Sequence, residues 1–449
     1  MQPESFALAV GLVLFFVLLA LGLEMVWCFI AAGAVIYIIM GYGLGDIPAV
    51  VFHNVDKEVL MAVAYFILAG ALMGSGGIAD KLVTWVNYVV GWLRGGLAAV
   101  AIGTSLIFGA LTGSGLTSIA ALVPLLVGRM ETYGYSRAYS AGVICASGFM
   151  GLLIPPSIPL MLFALMAEES VAALFASTIL PGCLLAAFYF VINFIFCRRW
   201  MHPVENSSVE SVDISTGTRI RRFGKDTYVA IPALLFPVIL AGGIFGGIFT
   251  PTEAAALSCV YAAAIGAFVY RGLTRKNIVP IVVEACATIG MIVILVGFGM
   301  FFSRVLLRVG LAESLVGSIL GVTQDKFVIL ILINVLLLVL GMFMESICIL
   351  LITVPLLLPL FEAIGMNPIH AGAMVCVNIG IGQVTPPFAV GLFVGARLSG
   401  VLVHQIAKPA LLFITLGAIP VLLLTTFIPD LALWLPKLIC GAKACGLAP

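Results

Sequence analysis

GLLIPPSIPL (residues 151 to 160) sets adjacent prolines in the middle of a long apolar run, and GQVTPPFAVG (residues 382 to 391) does so again. Proline removes a backbone donor and clashes with the preceding turn, at a cost of roughly 3 kcal/mol inside a helix. In lipid, each freed polar group must also find a partner. A chain that interrupts its backbone twice in the same way has a use for the groups it exposes.

Lipid is the solvent for most of this chain. Of its 449 residues 63% are hydrophobic and only 9% are charged, against roughly 25% charged in soluble domains. Apolar runs such as Phe6 to Leu23, Ala285 to Phe302 and Phe327 to Met344 approach the ~20 residues of a spanning helix. No polar stretch is long enough to be a soluble domain. The formal net charge of +1 gives no reason to expect nucleic acid or another polyanion as partner. MQPESFALAV lacks the basic start and small-residue cleavage site of a signal peptide, so the first apolar run is expected to remain as a span. The ten cysteines lie mostly in apolar segments, where Cys acts as a small hydrophobe. Cys440 and Cys445 are close together outside a span, but no histidine accompanies them to complete a metal site.

Residues 197–227 form the one clearly non-membrane segment, with Arg198, Arg199, Arg219, Arg221, Arg222 and Lys225. Basic residues near span ends mark the cytoplasmic side. Arg271, Arg275 and Lys276 mark a second basic loop at 271–277. Two apolar segments, about 228–249 and 253–270, lie between these loops and return the chain to the same face. The long basic loop also divides the chain into related halves. Gly151, Pro155 and Pro156 match Gly382, Pro386 and Pro387 at one offset, 386 − 155 = 231. The same offset pairs Cys145 with Cys376, Gly134 with Gly365, Glu131 with Glu362, and VPLL at 123–126 with VPLL at 354–357.

Matching Gly/Pro interruptions in two halves are the strongest sequence pointer to the binding site of a secondary transporter. At a break, carbonyls lose their helical partners, and carbonyl and hydroxyl oxygens suit a small hard cation. Half-helix N-termini carry positive ends suited to an anionic substrate. The bland alternative is a kink satisfied by neighbouring helices, which two breaks in register disfavour. Each half also holds an upstream element that reads as a re-entrant hairpin tip, tolerated at membrane depth only inside protein or beside water. In the first, FGALTGSGLTSIAAL (108–122), Thr112, Ser114, Thr117 and Ser118 offer oxygens, although small residues also serve tight helix packing. In the second, GMFMESICILL (from Gly341), the offset sets Glu345 opposite Ser114 and Ser346 opposite Gly115. Ser114, Thr117, Ser118, Glu345 and Ser346 are the expected substrate contacts.

The expected architecture is an all-α multi-span membrane bundle with two related repeats, each holding a re-entrant hairpin and a Pro-broken helix. N-terminal scaffold spans occupy 1–90. The first transport repeat is 91–196, with its tip at 109–118 and its break at 151–157. The basic loop follows at 197–227 and central scaffold spans at 228–310. The second repeat is 311–400, with its tip at 341–346 and its break at 382–388, and C-terminal spans fill 401–449.

GALTGSG, IPPS, GGIFTPTEAAA (246–256), GMFMES and GQVTPPF occur in this order and spacing. Together they resemble the large membrane subunit of tripartite ATP-independent periplasmic (TRAP) transporters over nearly the whole chain. The resemblance implies an elevator-type secondary transporter in the bacterial inner membrane, driven by Na⁺. It implies a separate small membrane subunit and a periplasmic substrate-binding protein as partners. Small organic acids, such as C4-dicarboxylates or sialic acids, are the implied cargo. Carried over residue by residue, one Na⁺ would lie among Gly109, Thr112, Ser114, Gly151, Ile154 and Pro156. A second would lie among Gly341, Gly382, Thr385 and Phe388. The first tip reads Thr-Gly-Ser-Gly where a serine-rich form is commoner, which leaves open the hydroxyl that holds the ion.

Ionisable groups inside spans are functional candidates by default. Glu253, two residues after Pro251, suits a helix N-terminus. Glu345 is open to the cavity, a partner or the interface. Arg304 and Arg308 are spaced to snorkel, and Glu131 and Arg137 suit an aqueous loop. None of the four histidines is assigned as a ligand. A stand-alone dicarboxylate carrier of similar architecture is the alternative within transporters. A channel would share the broken helices but not their pairing. The sequence has no HExxH, GxSxG or GxxxxGK[ST] motif, which argues against an intramembrane enzyme or an ATP-driven pump.

Overall fold

The structure, a computed structural model, describes residues 3–93, 95–201 and 216–441, with the backbone alone for 216–226. Residues 202–215 of the expected basic loop, and Cys445, lie outside the described residues. Among the described residues the regular structure is helical, and β pairing is limited to an isolated bridge between Tyr135 and Met201. Eight described helices are long and apolar enough to cross a membrane. Helices satisfy their own backbone polar groups, which is why lipid admits them.

The internal repeat is a repeat of structure. Each half contains an 18-residue helix, Gly115–Thr132 or Ser346–Ala363, whose starts differ by 346 − 115 = 231. The helices that enter the two breaks, Arg137–Gly148 and Pro368–Gly382, also start 368 − 137 = 231 apart. Their caps correspond: the Ser136 hydroxyl accepts from Tyr139 N, and the Asn367 side chain accepts from Ile369 N and His370 N. Such caps satisfy amides that the first helical turn leaves free.

Each hairpin is two antiparallel arms. Gly96–Thr112 turns at Gly113 and Ser114 into Gly115–Thr132. Gly113 has φ +63°, the left-handed conformation that glycine adopts without strain. Lys326–Phe343 turns at Met344 and Glu345 into Ser346–Ala363. The apolar run Phe327 to Met344 forms the helix Lys326–Phe343, long and apolar enough to cross a membrane, and it is the first arm of the second hairpin.

Each hairpin is preceded by a short connecting helix, Ile78–Val90 or Leu311–Val322. In the first, Ile78, Ala79, Leu82, Val83 and Val86 are buried, while Asp80 and Lys81 face out. This one-sided spacing suits a helix lying on the bundle. Glu58–Ser75 packs against Pro251–Ala264, and Ile278–Arg308 packs against both Glu58–Ser75 and Met25–Ile39. These helices form the frame beside the hairpins. Ile278–Arg308 has 31 residues, about 46 Å at 1.5 Å per residue, so it outreaches the hydrocarbon layer of about 30 Å. At its far end Arg308 donates to the Tyr37 hydroxyl at 3.3 Å and lies over the Tyr42 ring, in keeping with the snorkelling expected of it. Glu253 forms a capping box with Thr250: its carboxylate accepts from Thr250 N at 2.8 Å, and its own N–H donates to Thr250 Oγ1 at 3.2 Å. Glu131 pairs with Arg137 at 3.4 Å with both side chains half exposed. His370 contacts the Thr425 carbonyl through Nε2 at 2.7 Å, a structural role.

Buried amides tie the hairpins to the rest. Asn193 accepts from the Tyr139 hydroxyl at 2.9 Å and donates to Gly95 O at 3.1 Å. In the second half Asn378 donates to Asn334 Oδ1 at 2.8 Å, and Asn334 donates to Thr426 Oγ1 at 3.1 Å. Interhelical hydrogen bonds of this kind hold membrane helices in register.

In each half the hairpin meets its break glycine on glycine. A Cβ on Gly109 would fall 2.0 Å from Gly151 Cα, and one on Gly341 would fall 2.7 Å from Gly382 Cα. The atoms struck are backbone and cannot swing away. Gly109→Ala and Gly341→Ala are each expected to destabilise the protein by about 1–3 kcal/mol. Gly128→Ala, at an exposed helical position with nothing within 4 Å, should be neutral or slightly stabilising. Thermal melting of the purified variants checks this ordering, and equal melting of all three would contradict it.

Candidate functional site

At the first break, Arg137–Gly148 tightens into a 3₁₀ turn over Phe149–Leu152, and helix resumes only at Ile158–Ala167. The Pro155–Pro156 and Pro386–Pro387 peptide bonds are both cis. The freed carbonyl of Leu153 accepts from the Thr178 hydroxyl at 2.7 Å. The first tip presses onto this break twice, through Gly109 on Gly151 and through Gly113, where a Cβ would lie 2.8 Å from Pro156 O. Thr112 is buried, and its hydroxyl donates to Phe108 O at 3.1 Å with a longer contact to Ser114 O. Ser114 caps the second arm by accepting from Thr117 N. Ile154 turns its side chain toward Gly182 of the neighbouring helix.

The second break has the same plan. Gly382 meets Gly341, and the buried Thr385 hydroxyl donates to Ile381 O at 2.7 Å. Phe388 is exposed and packs its ring on Phe343, 5.1 Å between centroids, which joins the break to the end of the first arm. Glu345 accepts from Ile347 N at 2.9 Å and so caps its helix as Ser114 does. The structure thus brings Gly109, Thr112, Ser114, Gly151 and Pro156 together in one cluster, and Gly341, Gly382 and Thr385 in another. Ile154 and Phe388 join them through the chain, with side chains directed elsewhere.

Do these clusters fit a cation? Among the described residues no group of three or more His, Cys, Asp or Glu side chains is placed to hold a metal. Any ion here is therefore held by carbonyl and hydroxyl oxygens, ligands that suit a hard monovalent cation. Ser157 in the first break and Ser346 at the second tip are buried, and their hydroxyls have no hydrogen-bond partner among the described residues. A buried polar group without a partner calls for one. The donor set fits Na⁺.

Both tips line one cavity of about 380 Å³. Thr112, Ser114 and Thr117 enter from the first hairpin, Glu345 and Ser346 from the second, and Gln383 from the second break. The opposite wall is frame: Gly70, Gly74 and Ser75 from one helix, and Ile281, Glu284 and Thr288 from another. Four of the five expected substrate contacts thus face a shared space. Ser118 does not; it is fully buried, donates to Ser114 O at 3.1 Å, and lies beside Gly151. It therefore belongs with the ion cluster. Sequence reasoning missed Gln383, which stands beside a recognised break, and Glu284, an acid one residue before an apolar run. An ionisable residue inside a span was the available signal for Glu284.

The cavity has a direction. Gly76 follows Ser75, and its backbone abuts Gly272 in the basic loop 271–277, while Glu284 lies near the start of the helix that leaves that loop. By the charge rule basic loops are cytoplasmic, so the frame wall is expected in the cytoplasmic half and the cavity is expected to open inward. In a background with exposed Cys183 and Cys286 changed to Ser, Thr288→Cys is expected to react with a charged thiol reagent from the cytoplasmic side. Val260→Cys, exposed on the bundle's outer face, should stay unreactive in lipid. Labelling of Thr288→Cys only from the opposite side, read by mass spectrometry, would contradict this orientation.

Residues 12–431 match the family model described as "Tripartite ATP-independent periplasmic transporter, DctM component". The chain is 34% identical over 418 residues to the isethionate TRAP transporter permease protein DctMQ of Oleidesulfovibrio alaskensis, covering 93% of this chain and 63% of that one. It is 33% identical to the C4-dicarboxylate TRAP transporter large permease protein DctM of Pseudomonas aeruginosa (86% and 88% covered). It is 34% identical to the sialic acid TRAP transporter large permease protein SiaM of Vibrio cholerae (86% and 88%). In structure it is similar to the YdaH transporter of Alcanivorax borkumensis, with a TM-score of 0.57 at 15% identity over 87% of each chain, which supports the fold alone. These relatives are transporter permeases, not enzymes, and the chain belongs with them in the inner membrane: it is a member of the DctM family, the large membrane subunit of TRAP transporters.

Proposed function

We propose that this chain is the Na⁺-coupled translocating subunit for a small organic acid. A periplasmic substrate-binding protein delivers the acid, and a separate small membrane subunit completes the complex. The observation that carries the reading is the meeting of both hairpin tips at one cavity, each tip pressed glycine-on-glycine against its own break. Such paired, interrupted elements are how secondary transporters build a site near the midplane.

The electrostatics support coupling to a cation. Relatives are named for isethionate, C4-dicarboxylates and sialic acid, all anions at neutral pH. Among the described residues no Lys, Arg or His lines the cavity. An anion there is held by the N-terminal ends of Gly115–Thr132 and Ser346–Ala363, by Ser114, Thr117 and Ser346, and by Gln383. Helix ends supply partial positive charge, and a co-bound cation supplies the rest. Na⁺ at the Gly109–Gly151 and Gly341–Gly382 clusters places that charge just behind the tips. Binding both ions pins each tip to its break, so that the two repeats move as a unit along the frame, elevator-fashion. Empty, the tips lose that bond, which ties movement of the substrate to the Na⁺ gradient.

Reconstituted with its small subunit and a matched binding protein, the chain is expected to take up succinate, isethionate or N-acetylneuraminate under an inward Na⁺ gradient, and not under K⁺. Thr385→Ala should raise the Na⁺ concentration for half-maximal uptake by roughly tenfold, the scale of one lost oxygen contact. Uptake indifferent to Na⁺ and to this substitution would overturn the coupling. Uptake without the binding protein would favour a stand-alone carrier.

A further inference from the structure

Among the described residues Glu284 and Glu345 are the charged side chains that line the cavity, and they differ in what carries them. Glu345 belongs to the second tip, where its carboxylate is occupied with the amide of Ile347. Its charge is directed into its own helix end. Glu284 belongs to the frame helix Ile278–Arg308 and makes no ion pair among the described residues. One turn along, the Thr288 hydroxyl donates to the Glu284 backbone carbonyl at 3.0 Å, and both residues line the cavity.

We propose that Glu284 is a release residue: a fixed negative charge that an anionic substrate meets on reaching the inward-open cavity, and that lowers its affinity there. This rests on the proposed transport of an organic anion. The favourable groups travel with the substrate, because the helix end at Ser114 and the Ser346 hydroxyl are parts of the moving tips. The unfavourable group stays with the frame, in the cytoplasmic half. When the tips stand at the other face, Glu284 is out of range. Charge repulsion at the frame therefore weakens binding on one side of the membrane without weakening capture on the other. Among the described residues Glu284 makes no ion pair with the residues of either cluster, and its effect is read on the anion.

The test uses the full complex in proteoliposomes and whichever of succinate, isethionate or N-acetylneuraminate the wild type takes up. The same anion is loaded inside at graded concentrations, and the internal concentration that halves Na⁺-driven uptake is measured. A full charge about 10 Å from the anion, at an effective dielectric of about 20, changes affinity by about tenfold. Glu284→Gln is accordingly expected to lower the half-inhibiting internal concentration by about tenfold. The external concentration dependence of uptake should be unchanged. Glu284→Asp, which keeps the charge, should behave as wild type, and a fall in general folding would instead affect both sides and both variants. Equal internal inhibition of wild type and Glu284→Gln overturns the proposal while leaving Na⁺-coupled transport standing. A Glu284→Asp variant that matches Glu284→Gln also overturns it, because charge is then not the cause. Failure of the wild type to take up any of the three anions overturns the transport reading and this inference with it.

Discussion

A backbone carbonyl or amide inside lipid must be satisfied, and this constraint organises the molecule. Regular helices meet it internally. The two Pro-Pro segments cannot, and each is met by a hairpin tip that reaches it from a neighbouring pair of helices. The contact is possible because both surfaces are glycine: Gly109 on Gly151, and Gly341 on Gly382. Backbone touching backbone at two places gives each half a pocket of oxygens with little side chain in it. Part of the deficit is met within the protein, as where Thr178 bonds Leu153 O. Part is left unmet, as at Ser157. In the proposed mechanism the unmet part is what a coupling ion completes.

Repetition turns one such device into a transport site. The hairpins stand in the two halves of an internal repeat, and their tips share one cavity. The tips bring two helix N-termini to the same space, one capped by Ser114 and the other by Glu345. Anion-favouring dipoles thus ride on the elements that also hold the ion clusters. The frame contributes few polar groups, chiefly Ser75, Thr288 and Glu284. This division places affinity on the moving part and bias on the fixed part.

Much of this was legible in the sequence for a physical reason. Proline and glycine act locally, so breaks at 151–157 and 382–388 can be read without knowing their neighbours. The offset of 231 then transfers every observation from one half to the other, and the helix starts at 115 and 346 keep that offset. What was not legible depends on depth and direction. The run Phe327 to Met344 is as apolar as a span, and only its turn at Glu345 shows it to be an arm. Ser118 and Thr117 are adjacent, yet one faces Gly151 and the other the cavity, a distinction set by the rotation of the helix about its axis. Glu284 belongs to the site through a contact between frame and tips that no local pattern encodes.

Equilibrium binding of radioactive Na⁺ to the purified complex tests the central claim, that the two oxygen clusters behind the tips hold the coupling ions. The account predicts saturable binding at two sites, with Ser157→Ala weakening one and Thr385→Ala the other. Absence of saturable binding, or two sites untouched by both substitutions, would contradict it and leave the breaks as structural kinks.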